Sequence, residues 1–248
     1  MRNFTKYAIC IFIAFISEFA FCDENTKKVN FFTFEKPAVK LHTDIQFNVL
    51  PDLKNSGIGF SETALVDMKE LVFQAGIKQT ESLFDASAEV VYWPTFNNWL
   101  NFGVGVIYHF YNYPDEFHEH DILASFYFNF DISKVFKLYF RIGNASKIAV
   151  VNEVSKAYGP VLEPLMVSLD LIASFYPGNG WRIFQTFSTN KFYDYPAFDT
   201  FFFTLGFDKQ MSKSLVLGFN ITSKWTDLVI VSHNMTHFAC NIDCKWSF

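Results

Sequence analysis

Residues 237–248 alternate between apolar and polar side chains without interruption. A β-strand points successive side chains to opposite faces of a sheet, so a period of two predicts a strand with one apolar face. The apolar positions of this segment are Phe238, Cys240, Ile242, Cys244, Trp246 and Phe248.

The same alternation recurs from residue 84 onward and predicts eight further strands. Their cores lie at residues 84–92, 100–110, 122–130, 136–142, 167–175, 181–187, 201–207 and 215–221. Leu71, Phe73, Ala75 and Ile77 add one more strand before them. The sequence therefore predicts ten antiparallel strands.

The region before residue 71 is ambiguous. Val39–Val49 alternates and could pair with Gly57–Ala64, which would raise the strand number to twelve. The apolar positions between Ala64 and Ala75 also fit the stripe of an amphipathic helix, with Ser61 as its N-cap. In a ten-stranded barrel, residues 23–70 would form a plug or a periplasmic segment. In a twelve-stranded barrel, they would contribute an extra hairpin.

The connections between predicted strands alternate between short and long. The short ones are Pro94–Asn97, Asp131–Lys134, Pro177–Gly180 and Asp208–Lys213. The long ones are Asn112–His120, Asn144–Pro164, Asn190–Pro196 and Thr226–Thr236. Trp93, Trp99, Trp181 and Trp246 all fall near the end of the sheet that carries the short turns.

Residues 1–22 have the pattern of a secretory signal peptide. Arg2 and Lys6 precede an apolar run from Tyr7 to Ile16, and Cys22 ends the segment. Cleavage after Cys22 is expected, and lipidation of Cys22 is the alternative. The run is shorter than the ~20 residues that a membrane-spanning helix needs. Residues 23–248 are expected to form one domain.

Composition agrees with a sheet that has a large apolar surface. The chain has 248 residues, of which 33 are Phe, and aromatic residues make up 20%. So many large apolar side chains need either a big core or a surface that contacts lipid. The net charge of −5 shows no basic bias, so nucleic acid is not expected as a partner.

The terminal strand, with its aromatic last residue, resembles that of bacterial outer-membrane β-barrel proteins. The resemblance implies an all-β fold: a closed antiparallel transmembrane barrel in the bacterial outer membrane, surrounded by lipid. Phe238, Ile242, Trp246 and Phe248 would then be the insertion signal that the barrel assembly machinery reads. The Phe-rich strands and the turn Asp131-Ile-Ser-Lys134 are similar to spirochaete members.

The polar face of the predicted strands would line the barrel interior. In a ten-stranded barrel these side chains would pair and fill a narrow lumen, whereas twelve strands favour a narrow channel for small polar solutes. The predicted lumen-lining residues are His109, Asp121, Asp131, Lys137, Arg141, Asp170, Arg182, Lys224, Asp243 and Lys245.

Asp115–Asp121 is the segment with the most metal-like chemistry. His118 and His120 could bind a divalent ion together with His109, but a solvated external loop is the preferred interpretation. Omptin-type membrane proteases share the strand number of ten, but the paired acidic groups of their external rim are not found here. We expect a non-enzymatic channel or structural surface barrel without cofactors; a rim enzyme or metal-binding surface protein is the alternative.

Overall fold

The computed structural model describes residues 38–50, 57–68, 70–81, 83–94, 99–113, 117–151, 159–189, 201–226 and 234–248. These residues form twelve strands joined into one closed antiparallel barrel. The strands are β1 (Ala38–Leu50), β2 (Ile58–Met68), β3 (Leu71–Gln79), β4 (Phe84–Tyr92), β5 (Leu100–Tyr113), β6 (Phe117–Phe130), β7 (Phe136–Val151), β8 (Val161–Gly178), β9 (Trp181–Thr189), β10 (Phe201–Gln210), β11 (Leu215–Thr226) and β12 (Asn234–Ser247). The predicted signal peptide lies outside the described residues.

The prediction of ten strands is wrong, and the alternative of an extra hairpin is confirmed. β1 and β2 pair from Phe47 opposite Ile58 to Ala38 opposite Asp67. The helix considered for residues 64–75 does not form, because β2 and β3 pair side by side from Phe60 opposite Gln79 to Met68 opposite Leu71. Each strand thereby satisfies its backbone groups on both sides, which a barrel in hydrocarbon requires.

The ring closes between the first and the last strand. Leu41 lies opposite Trp246 and Ile45 opposite Ile242, so the outward face of the seam is largely apolar, with Thr43 between these pairs. The backbone N–H of Phe248 donates a hydrogen bond to the carbonyl oxygen of Val39 over 2.9 Å. No sheet edge is left between β1 and β12.

The large apolar side chains lie on the outside of the ring. Ile122, Phe126, Leu205 and Ile242 are about half exposed, at 50%, 53%, 52% and 49%. The neighbouring positions on the same strands, such as Asp121 at 1%, point inward and are buried. This distribution is the reverse of a soluble domain and is that of a barrel whose outer surface contacts lipid. In the described part of the chain, no helix is long and apolar enough to span a membrane.

Two of the predicted long loops are shorter than expected. β7 continues through Asn144 to Val151, and β8 begins again at Val161, so most of Asn144–Pro164 is strand. β5 likewise extends to Tyr113 and β6 begins at Phe117. In these extensions the inward side chains are polar, and charged residues on neighbouring strands pair with each other, as Lys147 does with Glu119. These contacts favour strand pairing beyond the apolar segments.

The short turns lie at one end of the barrel, here called the turn end. It carries residues 131–135, 179–180 and 211–214. Asn179 has a positive φ of 52° and lies between Gly178 and Gly180, whose φ values are also positive. Such backbone conformations suit Gly and Asn in a tight turn. The opposite end is called the loop end.

Candidate functional site

The interior of the barrel is the candidate functional site, and its two halves differ. The inner faces of β4–β8 carry large side chains that pack against one another. The inner faces of β9–β12, β1 and β3, with Ile172 of β8, surround a cavity of about 380 Å³. We call these regions the packed half and the open half.

Trp93 closes the packed half at the turn end. A Cβ on Gly103 would lie 2.8 Å from the indole ring, so the absence of a side chain there makes room for Trp93. The indole contacts Tyr127 edge-on at 5.8 Å between ring centroids, and the Tyr127 hydroxyl donates to Glu89 Oε1 over 2.6 Å. Trp93 therefore lies near the turn end as predicted but packs against inward-facing residues, whereas Trp181 is 40% exposed.

A buried ion pair occupies the middle of the packed half. Arg141 is 4% exposed and donates from Nε to Asp170 Oδ2 over 2.6 Å and from Nη2 to Ser168 Oγ over 3.1 Å. The bonds join β7 to β8. The side chains of the pair therefore fill this part of the lumen, and water does not occupy it.

Nearer the loop end, the packed half contains further polar contacts between side chains. Lys147 Nζ lies 3.1 Å from Glu119 Oε1, and His109 Nδ1 lies 3.4 Å from Asp85 Oδ1. Asp121 is directly opposite His109 in the β5–β6 register and is buried. An apolar cluster packs in the same region, formed by Leu83, Ile107, Tyr111, Tyr113, Leu123 and Ala145.

The wall of the open half is built in three layers of different chemistry. The strand registers place side chains of one kind at the same level on neighbouring strands. From the turn end, the carboxylate layer consists of Asp44, Asp208 and Asp243. The amide layer consists of Gln46, Asn220 and Asn241. The hydroxyl layer consists of Thr186, Thr204 and Thr222.

Basic and hydrogen-bonding side chains contact two members of the carboxylate layer. Asp208 receives Arg182 Nη1 at 3.1 Å and Lys245 Nζ at 3.0 Å. Asp243 lies 2.9 Å from His42 Nε2 through its Oδ1. Asn220 Nδ2 donates to the other oxygen of Asp243 over 2.9 Å.

Gly218 separates the two carboxylates of β10 and β12. It is opposite both Asp208 and Asp243, and a Cβ there would lie 2.5 Å from Asp208 Oδ1 and 3.0 Å from Asp243 Cβ. The missing side chain lets both acidic side chains extend over β11. The layer therefore depends on a glycine at this position.

Three of the predicted lining residues have other surroundings. Asp131 and Lys137 form a 2.9 Å ion pair at the turn end, with side chains 43% and 49% exposed, so they lie at the mouth rather than in the cavity. Lys224 is buried above the open half, with Nζ 5.9 Å from the centroid of the Phe202 ring. Arg182 and Lys245 border the cavity itself.

The two histidines proposed as metal ligands are not on a loop. His118 and His120 belong to β6 and face outward, where His120 Nδ1 lies 2.7 Å from the Tyr108 hydroxyl. His109 points to the opposite face of the sheet, so the three imidazoles do not converge. The described residues contain no group of three or more metal-ligating side chains placed around one point.

Several residues of the site escaped the sequence analysis. Asp44 and His42 belong to β1, whose existence was left open, and Lys78 belongs to β3. Asp208 was assigned to a turn, but it lies inside β10. The alternation in Val39–Val49 was the signal that could have placed the two β1 side chains.

No family model matches the sequence, and no curated protein matches it. Solved structures do resemble the barrel. A KdgM porin in complex with disordered oligogalacturonate aligns with a TM-score of 0.56 and 9% identity, over 85% of this chain and 99% of that chain. The NanC porin aligns with a TM-score of 0.56 and 11% identity, over 84% and 100%.

A third structure is the translocator domain of the autotransporter NalP from Neisseria meningitidis. It aligns with a TM-score of 0.53 and 10% identity, over all of this chain and 98% of that domain. Identities this low establish the fold alone. The chain has the closed-barrel fold of bacterial outer-membrane porins and translocators, and the predicted resemblance to outer-membrane β-barrels is confirmed at that level.

Proposed function

We propose that the protein is a non-enzymatic, narrow channel for small polar solutes in a bacterial outer membrane. The observation that carries the proposal is the polar-lined cavity of about 380 Å³ inside the ring of β-strands. Its lining carries amide, hydroxyl and charged side chains, which favour water and polar solutes over an apolar ligand. The neighbouring porin folds support the same role.

The packed half limits how wide the conduit is. Twelve strands enclose more space than the eight-stranded size that side chains fill completely. Here Trp93, Tyr127 and Arg141 occupy one side of that space, so only the open half remains for solutes. A channel of this kind would pass small molecules and exclude long chains.

Lipid and the assembly machinery are the partners that we propose for the outer surface. Phe238, Ile242 and Trp246 lie on the outward face of β12, where acyl chains would contact them. The same three residues with Phe248 form the proposed insertion signal. The outward positions of Ile122 and Phe126 extend this apolar surface around the barrel.

A structural surface barrel without conductance is the second candidate. The buried pair of Arg141 and Asp170 favours it, because side chains of this kind fill the lumen instead of lining a path. A rim enzyme has less support, since His109 and Asp85 lie beside the apolar cluster within the packed half.

Planar-bilayer recordings test the proposal. The refolded protein should give small, discrete conductance steps, and Thr204→Trp should reduce them because the indole would enter the cavity beside Thr222. Leu205→Trp is the matched control, since Leu205 is the next residue but faces outward at 52% exposure. A folded barrel that gives no steps would leave the filled surface barrel as the function.

A further inference from the structure

Acidic and basic side chains are equal in number around the cavity, when Asp208 beside it is included. The carboxylates of Asp44, Asp208 and Asp243 are matched by Lys78, Arg182 and Lys245 in the same part of the lumen. Asp208 contacts two of these cations directly, and Lys78 lines the same cavity as Asp44. Interspersed side chains of both signs steer neither anions nor cations strongly, because long-range steering needs a large excess of one sign.

Amide and hydroxyl side chains form another part of the lining, at Gln46, Thr186, Thr204, Asn220, Thr222 and Asn241. Asn241, only 7% exposed, donates from Nδ2 to Asn220 Oδ1 over 2.6 Å, and Thr204 and Thr222 bond to each other over 2.9 Å. Asn241 Oδ1 and Asp44 Oδ1 have no hydrogen-bond partner in the protein. Both are acceptors, and a buried acceptor gains most from a ligand that brings a hydrogen-bond donor.

Two aromatic rings complete the lining. Phe184 and Phe202 border the cavity beside the amide and hydroxyl layers. Gly206 makes room for Phe184, since a Cβ at that position would lie 2.5 Å from its ring. Aromatic faces pack well against the C–H surface of a sugar ring, while its hydroxyl groups reach the polar groups nearby.

We propose that the transported solute is an uncharged, polyhydroxylated molecule of about monosaccharide size, such as a hexose or a polyol. This inference rests on the proposed channel function. The amide and hydroxyl layers bind the hydroxyl groups, the two phenylalanines pack against the ring, and the balanced carboxylate layer gives no advantage to a charged relative of the same solute.

Tracer exchange across liposomes in symmetrical salt tests the proposal, because the salt removes diffusion potentials. Glucose, glucuronate and glucosamine have the same ring and differ in charge. Glucose should equilibrate about threefold to tenfold faster than either charged tracer. This ratio corresponds to the free energy of one hydrogen bond in the cavity. A charged tracer that keeps pace with glucose overturns the solute class, whereas tracers that all fail to enter overturn the channel function itself.

Two charge variants sharpen the test. Asp208→Asn leaves Arg182 and Lys245 without their shared carboxylate, so the preference should move toward glucuronate. Lys245→Gln removes a cation whose side chain is 31% exposed and should move the preference toward glucosamine. This variant also tests the proposal if Asp208→Asn does not fold. Asp131→Asn is the matched control, because it removes the same charge at the exposed turn. Unchanged tracer ratios in the folded charge variants would contradict the proposal.

Discussion

Arg141 and Asp170 are linked by a 2.6 Å hydrogen bond from Nε to Oδ2, in the interior of the packed half. The bond joins the adjacent strands β7 and β8, on which the two residues are directly opposite each other. Ser168 accepts a further bond from the same guanidinium. The two charges are therefore held by fixed partners on one side of the lumen.

Removing one member of this pair should destabilise the barrel. Asp170→Asn leaves the buried guanidinium of Arg141 without its counter-charge, which costs about 3–5 kcal/mol when a partner of a buried pair is lost. Urea unfolding of the protein in lipid bilayers, followed by tryptophan fluorescence, measures the free energy of unfolding.

Asp131→Asn provides the comparison for that measurement. Its partner Lys137 has a side chain that is 49% exposed, and exposed pairs contribute about 0–1 kcal/mol. If both substitutions lowered the free energy of unfolding by the same amount, the guanidinium of Arg141 would not depend on Asp170.

Trp93 is the side chain whose removal should widen the conduit. Trp93→Ala vacates the space over Gly103 and beside Tyr127, so the single-channel conductance should rise. The lost packing should cost up to about 3–5 kcal/mol of stability. Bilayer recordings of the folded variant measure the first effect.

Trp181→Ala is the control for Trp93. This indole is 40% exposed and lies with Lys209 Nζ 4.8 Å from its ring at the outer surface of the turn end. Conductance should not change, since the side chain is outside the lumen. Equal conductance of both variants would show that Trp93 does not limit the path.

The period of two predicted the strands from residue 84 onward because each of them meets lipid on one side and the lumen on the other. The first hairpin was harder to interpret. Its outward face carries the large apolar residues Ile45, Phe47 and Phe60, but Thr43 and Glu62 interrupt the alternation. The apolar positions between Ala64 and Ala75 also fit a helical stripe, and only the pairing of β2 with β1 and β3 decides between the two structures.

The division of the lumen could not be predicted from the pattern. Alternation assigned Arg141, Arg182 and Lys245 to the same inward face, and the structure places all three inside the ring. Whether the space beside each is filled depends on residues of other strands. Tyr127 fills it on one side, whereas Asp208 and Asp243 occupy the space over Gly218 on the other, and neither arrangement is encoded in a single strand.

A methyl group at Gly218 should disturb the carboxylate layer. Gly218→Ala would place Cβ 2.5 Å from Asp208 Oδ1, so the carboxylate must move away from Lys245. Overpacking of this kind costs about 1–3 kcal/mol, and the ion selectivity measured from reversal potentials should change with it.

Gly59→Ala is the matched control for that substitution. Its Cβ would meet Gln46 Cβ and Thr80 Cγ2 at 3.4 Å, which is an ordinary contact distance. Stability and reversal potential should both stay near those of the unchanged protein. A shift in Gly59→Ala as large as in Gly218→Ala would mean that any added methyl group perturbs the wall.

The outward face of the first hairpin carries a polar pair that should reduce stability in lipid. Thr43 donates a hydrogen bond to Glu62 Oε1 over 2.8 Å, and Glu62 Oε2 has no hydrogen-bond partner in the protein. Thr43→Val should therefore destabilise the barrel by about 1–3 kcal/mol, since it leaves a second carboxyl oxygen unsatisfied.

The double variant T43V/E62L should be at least as stable as the unchanged protein, because apolar residues then replace both partners. Urea unfolding in bilayers measures the four free energies of unfolding, for the unchanged protein, T43V, E62L and the double variant. Additive effects of T43V and E62L would contradict this explanation, because two residues that bond to each other should show a coupling energy.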